Sequence, residues 1–155
     1  MTNEQEHLAC PIPTPPTQSE DELIRRLVKS KRIAVVGISD RPDRPSFYVS
    51  EYMQQHGAEI LPVNPTLENQ TILGHRVYGS LKDVPGPIDL VDVFRRPQFC
   101  PDVVRDAIAA GASGVWLQSG IRSPEAEQLA KQAGLAFIQD RCLMVEHSRR
   151  AGGTR

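Results

Sequence analysis

The sequence lacks the long apolar segment that a membrane protein needs. No apolar run approaches the roughly 20 residues that span a bilayer, and the start MTNEQEHLAC has neither the basic residues nor the apolar stretch of a signal peptide. An excess of basic residues is also missing, because the net charge is -1. This charge argues against nucleic acid or a membrane surface as a partner. We therefore expect a cytoplasmic protein.

Clusters of metal-binding or disulfide-forming residues are also missing. The three cysteines (Cys10, Cys100 and Cys142) are scattered and form no Cys-x-x-Cys pair, and the four histidines include no His-x-x-x-His. Neither a disulfide framework nor a metal site is therefore expected. The sequence also has no Gly-x-Ser-x-Gly elbow, so catalysis by a nucleophilic serine has no support.

The 155 residues do contain a regular alternation of strand and helix patterns. Residues 32–39 (RIAVVGIS) carry four consecutive apolar residues before a glycine, which is typical of a strand buried on both faces. Further strands are predicted at 58–63, 88–94, 114–118 and 135–138, with helices before or between them. The alternation predicts an α/β fold, a single Rossmann-like, doubly wound domain with a five-stranded, mainly parallel sheet.

The predicted domain covers residues 19–150. Residues 1–18 contain four prolines and are interpreted as an extended N-terminal arm. Ser19 and Glu22 fit a capping box at the start of the first helix. Residues 151–155 are interpreted as a frayed C-terminus.

Residues just past each strand indicate the ligand, because parallel α/β sheets bind ligands beyond the carboxyl ends of their strands. The NAD fingerprint G-x-G-x-x-G would need glycines at positions 37, 39 and 42, but only Gly37 is present, with Ser39 and Pro42 at the other two. The second strand ends in Asn64 instead of the acidic residue that holds the ribose. Both parts of the NAD signature are therefore missing.

The same strand ends carry groups that suit phosphate. The Ser39 hydroxyl and the loop N–H groups are potential donors to phosphate. Arg41 and Arg44 follow the first strand, and Arg95 and Arg96 follow the third. Guanidinium groups bind phosphate oxygens in pairs, so four arginines at one crevice predict a ligand with several phosphates. Each arginine taken singly is equally consistent with a solvated surface charge.

Other polar residues receive simpler interpretations. Gln118 follows the fourth strand and is expected to point towards the crevice. Asp89, Asp92 and Trp116 are interpreted as structural residues within strands. Cys142 follows the fifth strand and is either near the crevice or an idle buried thiol.

Five strand-end motifs, in this order and spacing, resemble the small stand-alone CoA-binding domain proteins. They also resemble the N-terminal domain of the succinyl-CoA synthetase α subunit and of related ADP-forming acyl-CoA ligases. The resemblance covers about residues 20–148 and rests on Val35-Val36-Gly37-Ile38-Ser39, Leu61-Pro62-Val63-Asn64-Pro65, Asp92-Val93-Phe94-Arg95-Arg96-Pro97, Val115-Trp116-Leu117-Gln118-Ser119-Gly120 and Asp140-Arg141-Cys142.

The resemblance implies that CoA or an acyl-CoA binds in the crevice. Gly37 and Ser39 would contact the diphosphate region. Gln118 and Gly120 would lie nearer the pantetheine arm. The residues that would flank the adenosine and its 3′-phosphate are Val63, Asn64, Pro65, Phe94, Arg95, Arg96 and Pro97.

The sequence also departs from the ligases. Thr66 stands where they commonly carry a basic residue, and the sequence ends before a phosphorylated-histidine domain and a nucleotide-grasp domain. We therefore expect a non-catalytic carrier, sensor or regulatory module. The alternatives are a small NAD(P)-dependent oxidoreductase, an enzyme that uses the Cys142 thiol on a CoA thioester, and a subunit that supplies the CoA site to a separate ligase. A protein partner or a homo-oligomer is a further alternative.

Overall fold

Strands and helices alternate along residues 18–152, the part of the chain that the computed structural model describes. In chain order they are α1 (Gln18–Leu27), β1 (Arg32–Val36), α2 (Pro45–Gln55), β2 (Glu59–Val63), β3 (Thr71–Ile72), β4 (His75–Arg76), β5 (Leu90–Val93), α3 (Cys100–Ala109), β6 (Gly114–Leu117), α4 (Pro124–Gln132), β7 (Ala136–Ile138) and α5 (Leu143–Gly152).

Five of these strands form one parallel sheet in the order β2-β1-β5-β6-β7, which confirms the predicted Rossmann-like fold. The short strands β3 and β4 pair only with each other, in antiparallel fashion. The chain places β2 on one side of β1 and the later strands on the other, so the order reverses between β1 and β5. Such a reversal opens a crevice beyond the carboxyl ends of the strands.

The central strand is buried on both faces, as its apolar run predicts. Val35 packs on the side of α2 with Val49, whereas Val36 packs on the opposite side with Val104 of α3 and Ala130 of α4. Helices therefore cover both faces of the sheet and leave its carboxyl edge open for a ligand.

The first and last helices include residues outside the predicted range 19–150. Gln18 is already helical, so Ser19 lies inside α1 and is not its N-cap. At the other end α5 extends to Gly152, because Arg150 pairs with Glu146 one turn earlier and with Asp21 of α1. Residues 1–17 of the predicted arm and residues 153–155 lie outside the described part of the chain.

Candidate functional site

The turn after β1 brings three strand ends together. Gly37 has a φ of +88°, which side chains rarely adopt, and its N–H donates to the carbonyl of Val63 at the end of β2 (2.9 Å). A Cβ added at Gly37 would lie 2.5 Å from the carbonyl oxygen of Phe94, just past β5. Only glycine therefore fits where β1, β2 and β5 converge.

The loop that follows is held by its own serines. The N–H of Ser39 donates to the hydroxyl of Ser46 in the first turn of α2 (2.9 Å), and the Ser39 hydroxyl accepts a hydrogen bond from the N–H of Arg41 (3.0 Å). Because the Ser39 oxygen acts as an acceptor in this bond, its own proton remains available to an anionic ligand. These two hydrogen bonds hold the loop in its conformation.

Asn64 braces this turn from the neighbouring strand. Its Nδ2 donates to the carbonyl of Ile38 (2.8 Å), and its Oδ1 accepts from both the N–H and the hydroxyl of Thr66 (2.9 and 2.8 Å). The side chains of Asn64 and Thr66 are therefore engaged within the protein. Asn64 positions the turn through these bonds, and its contact with the adenosine stays a prediction.

A cleft of about 290 Å³ opens beside these strand ends, between β1, β2 and α3. Its walls are largely apolar, with the guanidinium carbon of Arg95 lying 4.4 Å from the centroid of the Phe99 ring. A cation over the face of an aromatic ring is attracted to the ring electrostatically, which holds the guanidinium beside Phe99. The lining residues are Val36, Val63, Pro65, Gly79, Ser80, Leu81, Arg95, Phe99, Asp102, Val103 and Asp106.

The structure brings together only part of the predicted site. Val63, Pro65 and Arg95 line the cleft, and Gly37 and Phe94 form the crossing behind it. Of the four predicted arginines only Arg95 lines this cleft. The other three, Arg41, Arg44 and Arg96, are exposed in loops at the same edge of the sheet.

Two of the exposed loop residues have local roles that the sequence does not reveal. Arg41 lies 3.5 Å from the carboxylate of Asp43. Pro97 begins a short 3-10 turn, Pro97–Phe99, that leads directly into α3. This turn places Phe99 beneath the guanidinium of Arg95, so Pro97 acts on the cleft through Phe99.

The expectation that Gln118 points into the crevice is wrong. Gln118 is only 4% exposed. Its Nε2 donates to Oδ1 of Asp92 (2.6 Å), and its Oε1 accepts from the N–H of Leu143 at the start of α5 (3.4 Å). The amide therefore links β5, β6 and α5 inside the protein. Gly120 lies at the sheet edge, where its N–H donates to Oδ1 of Asp140 (2.8 Å).

Asp92 is the partner that draws Gln118 inwards. Complete burial raises the pKa of its carboxyl group to about 7, against the opposing effect of the hydrogen bond from Gln118. The group thus changes charge near neutral pH in the interior of the sheet. Its burial and its hydrogen bond from Gln118 agree with the structural interpretation of Asp92.

Phe99 is the main cleft residue that the sequence did not identify. It is 39% exposed, which is unusual for so large an apolar side chain. The available signal was an aromatic residue two positions after Pro97 in a strand-end loop. Ser80 and Asp106 were also missed, because their membership of the cleft depends on chain segments far from β1.

The described residues offer no reactive thiol in the cleft. Burial raises the pKa of the Cys100 thiol to about 11, with Arg95 opposing that shift, so little thiolate forms there at neutral pH. Between residues 18 and 152, no group of three or more His, Cys, Asp or Glu side chains is arranged to hold a metal ion. No helix in that range is long and apolar enough to cross a membrane.

Residues 31–148 match the family described as CoA binding domain, which is more than half of the chain. The chain belongs to this CoA binding domain family. The match begins immediately before β1 and ends within α5, so it includes the glycine turn, the cleft and all five strands of the main sheet.

Small proteins that are matched over almost their whole length resemble this chain. The Bacillus subtilis protein YneT is 46% identical over 130 residues, which are 84% of this chain and 95% of YneT. A Thermus thermophilus structure, cell-free ID.343, superimposes with a TM-score of 0.79 at 42% identity and covers 83% of this chain and 97% of its own.

A larger relative is the alpha subunit of acetate–CoA ligase [ADP-forming] II from Pyrococcus furiosus. It is 25% identical over 124 residues, or 73% of this chain, but the match spans only 27% of that subunit. The chain thus corresponds to about a quarter of this ligase subunit and to nearly all of the small relatives.

Replacing Gly37 with alanine is expected to destabilise the domain more than the same change at Gly57. Both glycines have positive φ values, but a Cβ at Gly57 would meet nothing within 4 Å. Gly57→Ala should therefore lower the free energy of unfolding by about 1–3 kcal/mol through backbone strain alone. Gly37→Ala should lower it further, because the new methyl group must also displace the Phe94 carbonyl. Urea unfolding measures both values, and equal losses would show that the crossing at Phe94 tolerates a methyl group.

The free energy of unfolding is expected to fall as pH rises from about 4 to about 7, because the Asp92 carboxyl group loses its proton more readily in the unfolded chain than in the folded domain. The folded-state pKa of about 7 lies above the ordinary value of 3.8 for an aspartate, so the folded state binds more protons across this window and loses that stabilisation when pH rises. Asp92→Asn keeps an acceptor for Gln118 and should gain stability relative to wild type across this window. Urea unfolding near pH 5 and near pH 8 tests this, and parallel pH profiles would contradict it.

Proposed function

We propose that the cleft binds CoA or an acyl-CoA, with the adenosine end in the cleft and the phosphates towards Arg95 and the Ser39 turn. The observation that carries this proposal is the placement of Arg95, stacked on Phe99 at the edge of an apolar cleft beside the Gly37 turn. A nucleotide needs an apolar slot for its base next to a cation for its phosphates, and these residues provide both.

The chemistry of the residues fits CoA part by part. Val36, Val63 and Phe99 offer apolar contact for a purine ring. The Arg95 guanidinium is suited to paired hydrogen bonds with phosphate oxygens. The hydroxyl proton of Ser39, in the turn that follows Gly37, is available to a phosphate oxygen. Arg41, Arg44 and Arg96 at the same edge add positive charge for a ligand with three phosphates.

We further propose that the domain binds this ligand without transforming it. The cleft residues include hydroxyl, carboxylate and guanidinium groups but no histidine, and the Cys100 thiol is buried. A carrier, sensor or regulatory role is consistent with this chemistry.

Calorimetry with CoA, dephospho-CoA and NAD tests the ligand. We expect CoA to bind most tightly. Dephospho-CoA and NAD both lack the 3′-phosphate, and this chain lacks the glycine fingerprint that NAD binding needs. Tighter binding of NAD, or equal binding of CoA and dephospho-CoA, would contradict the proposal.

Arg95→Ala is expected to weaken CoA binding by about 1.5–3 kcal/mol, the usual contribution of a hydrogen bond to a charged group. Arg26→Ala is the matched control, since Arg26 is exposed at the end of α1 by the opposite, amino edge of the sheet. Isothermal titration measures both affinities. If the two variants bind CoA equally well, Arg95 is only a solvated surface charge.

A second candidate role follows from the match to a ligase subunit. We propose, as the alternative, that the domain lends its CoA site to a separate acyl-CoA ligase subunit, because the aligned region is one part of the larger Pyrococcus protein. Affinity purification of the tagged chain from its native cells, followed by an assay for ATP formation from acyl-CoA, ADP and phosphate, tests this role. Such activity, lost with Arg95→Ala, would support it, and a chain that elutes alone and inactive would contradict it.

A further inference from the structure

The cleft carries negative as well as positive charge. Arg95 lines the cleft, and so do Asp102 and Asp106 of α3. The two aspartates are four residues apart and therefore lie on the same face of that helix, one turn from each other. A carboxylate repels phosphate, so this helix face is unsuited to the charged end of a nucleotide.

The two carboxylates differ in how they are engaged. Asp102 pairs with Arg105 at 2.6 Å, and Arg105 also approaches Glu125 at 3.5 Å. No hydrogen bond or ion pair within residues 18–152 engages the carboxylate of Asp106. Asp106 is thus the acceptor on this helix face that remains open to a ligand.

We infer that Asp106 selects the base of the bound nucleotide by accepting a hydrogen bond from an exocyclic amino group, as adenine carries at position 6. This inference rests on the proposed function. An ionised carboxylate only accepts hydrogen bonds, so it favours a base that presents N–H groups and disfavours one that presents a carbonyl at the same place.

The remaining cleft residues agree with this orientation. Val36, Val63 and Leu81 of the cleft supply apolar surface for the base. In the inferred orientation the amino group of the base meets Asp106 and the phosphates meet Arg95.

Affinities for CoA and for deamino-CoA, which carries hypoxanthine in place of adenine, test the inference. Wild-type protein is expected to bind CoA at least about tenfold more tightly, because a hydrogen bond to a charged group is lost and a carbonyl faces the carboxylate. In Asp106→Ala the ratio of the affinities for CoA and deamino-CoA should fall to nearly one. Fluorescent 1,N6-etheno-CoA, whose modified amino group has no hydrogen to donate, should behave like deamino-CoA.

Asp102→Ala is the matched control, since it removes a negative charge from the same helix face. It should shift the affinities for CoA and deamino-CoA together and leave their ratio unchanged. An unchanged ratio in Asp106→Ala, or a lost ratio in Asp102→Ala, would overturn the inference. Tight CoA binding by wild type with no preference over deamino-CoA would overturn it while leaving the proposed function intact, whereas no CoA binding at all would overturn both.

Discussion

The site depends on the close approach of the first turn to the strand on its far side. Gly37 lies so near the Phe94 carbonyl that no side chain fits between them, and its N–H ties the same point to Val63. Because β1, β2 and β5 converge there, the turn, the cleft and the Arg95 loop share one fixed geometry. The reversal of strand order between β1 and β5 creates the crevice. The contact between Gly37 and the Phe94 carbonyl lies at the inner end of this crevice.

Charge is distributed across the cleft in a way that matches a nucleotide. A stacked guanidinium, two aspartates and several apolar side chains all line it. Each feature is ordinary by itself, since single surface arginines and aspartates are common. Together they underlie the proposal of a ligand with a phosphate-bearing end and a hydrogen-bond-donating end. Membership of the CoA binding domain family agrees with such a ligand.

Much of the fold could be predicted from the sequence because its signals are local. The apolar run at 32–36 has the composition of a strand buried on both faces, and the pattern of helices between strands leaves few possible topologies. Gly37 could be identified as a turn residue for the same reason. The predicted N-cap at Ser19 was wrong, since the helix already includes Gln18. Helix ends are set by weaker preferences than strand burial.

The sequence by itself determined the alternation of strands and helices, the glycine turn and the strand ends from which the candidate site is built. Only the tertiary structure decided which polar side chains face the cleft. Gln118 turned inwards because Asp92, 26 residues away, lies on the neighbouring strand and its buried carboxyl group needs a partner. Phe99 and Asp106 entered the site because α3 packs beside the ends of β1 and β2. These placements depend on packing between segments that are distant in the chain, and such packing leaves no local pattern in a sequence.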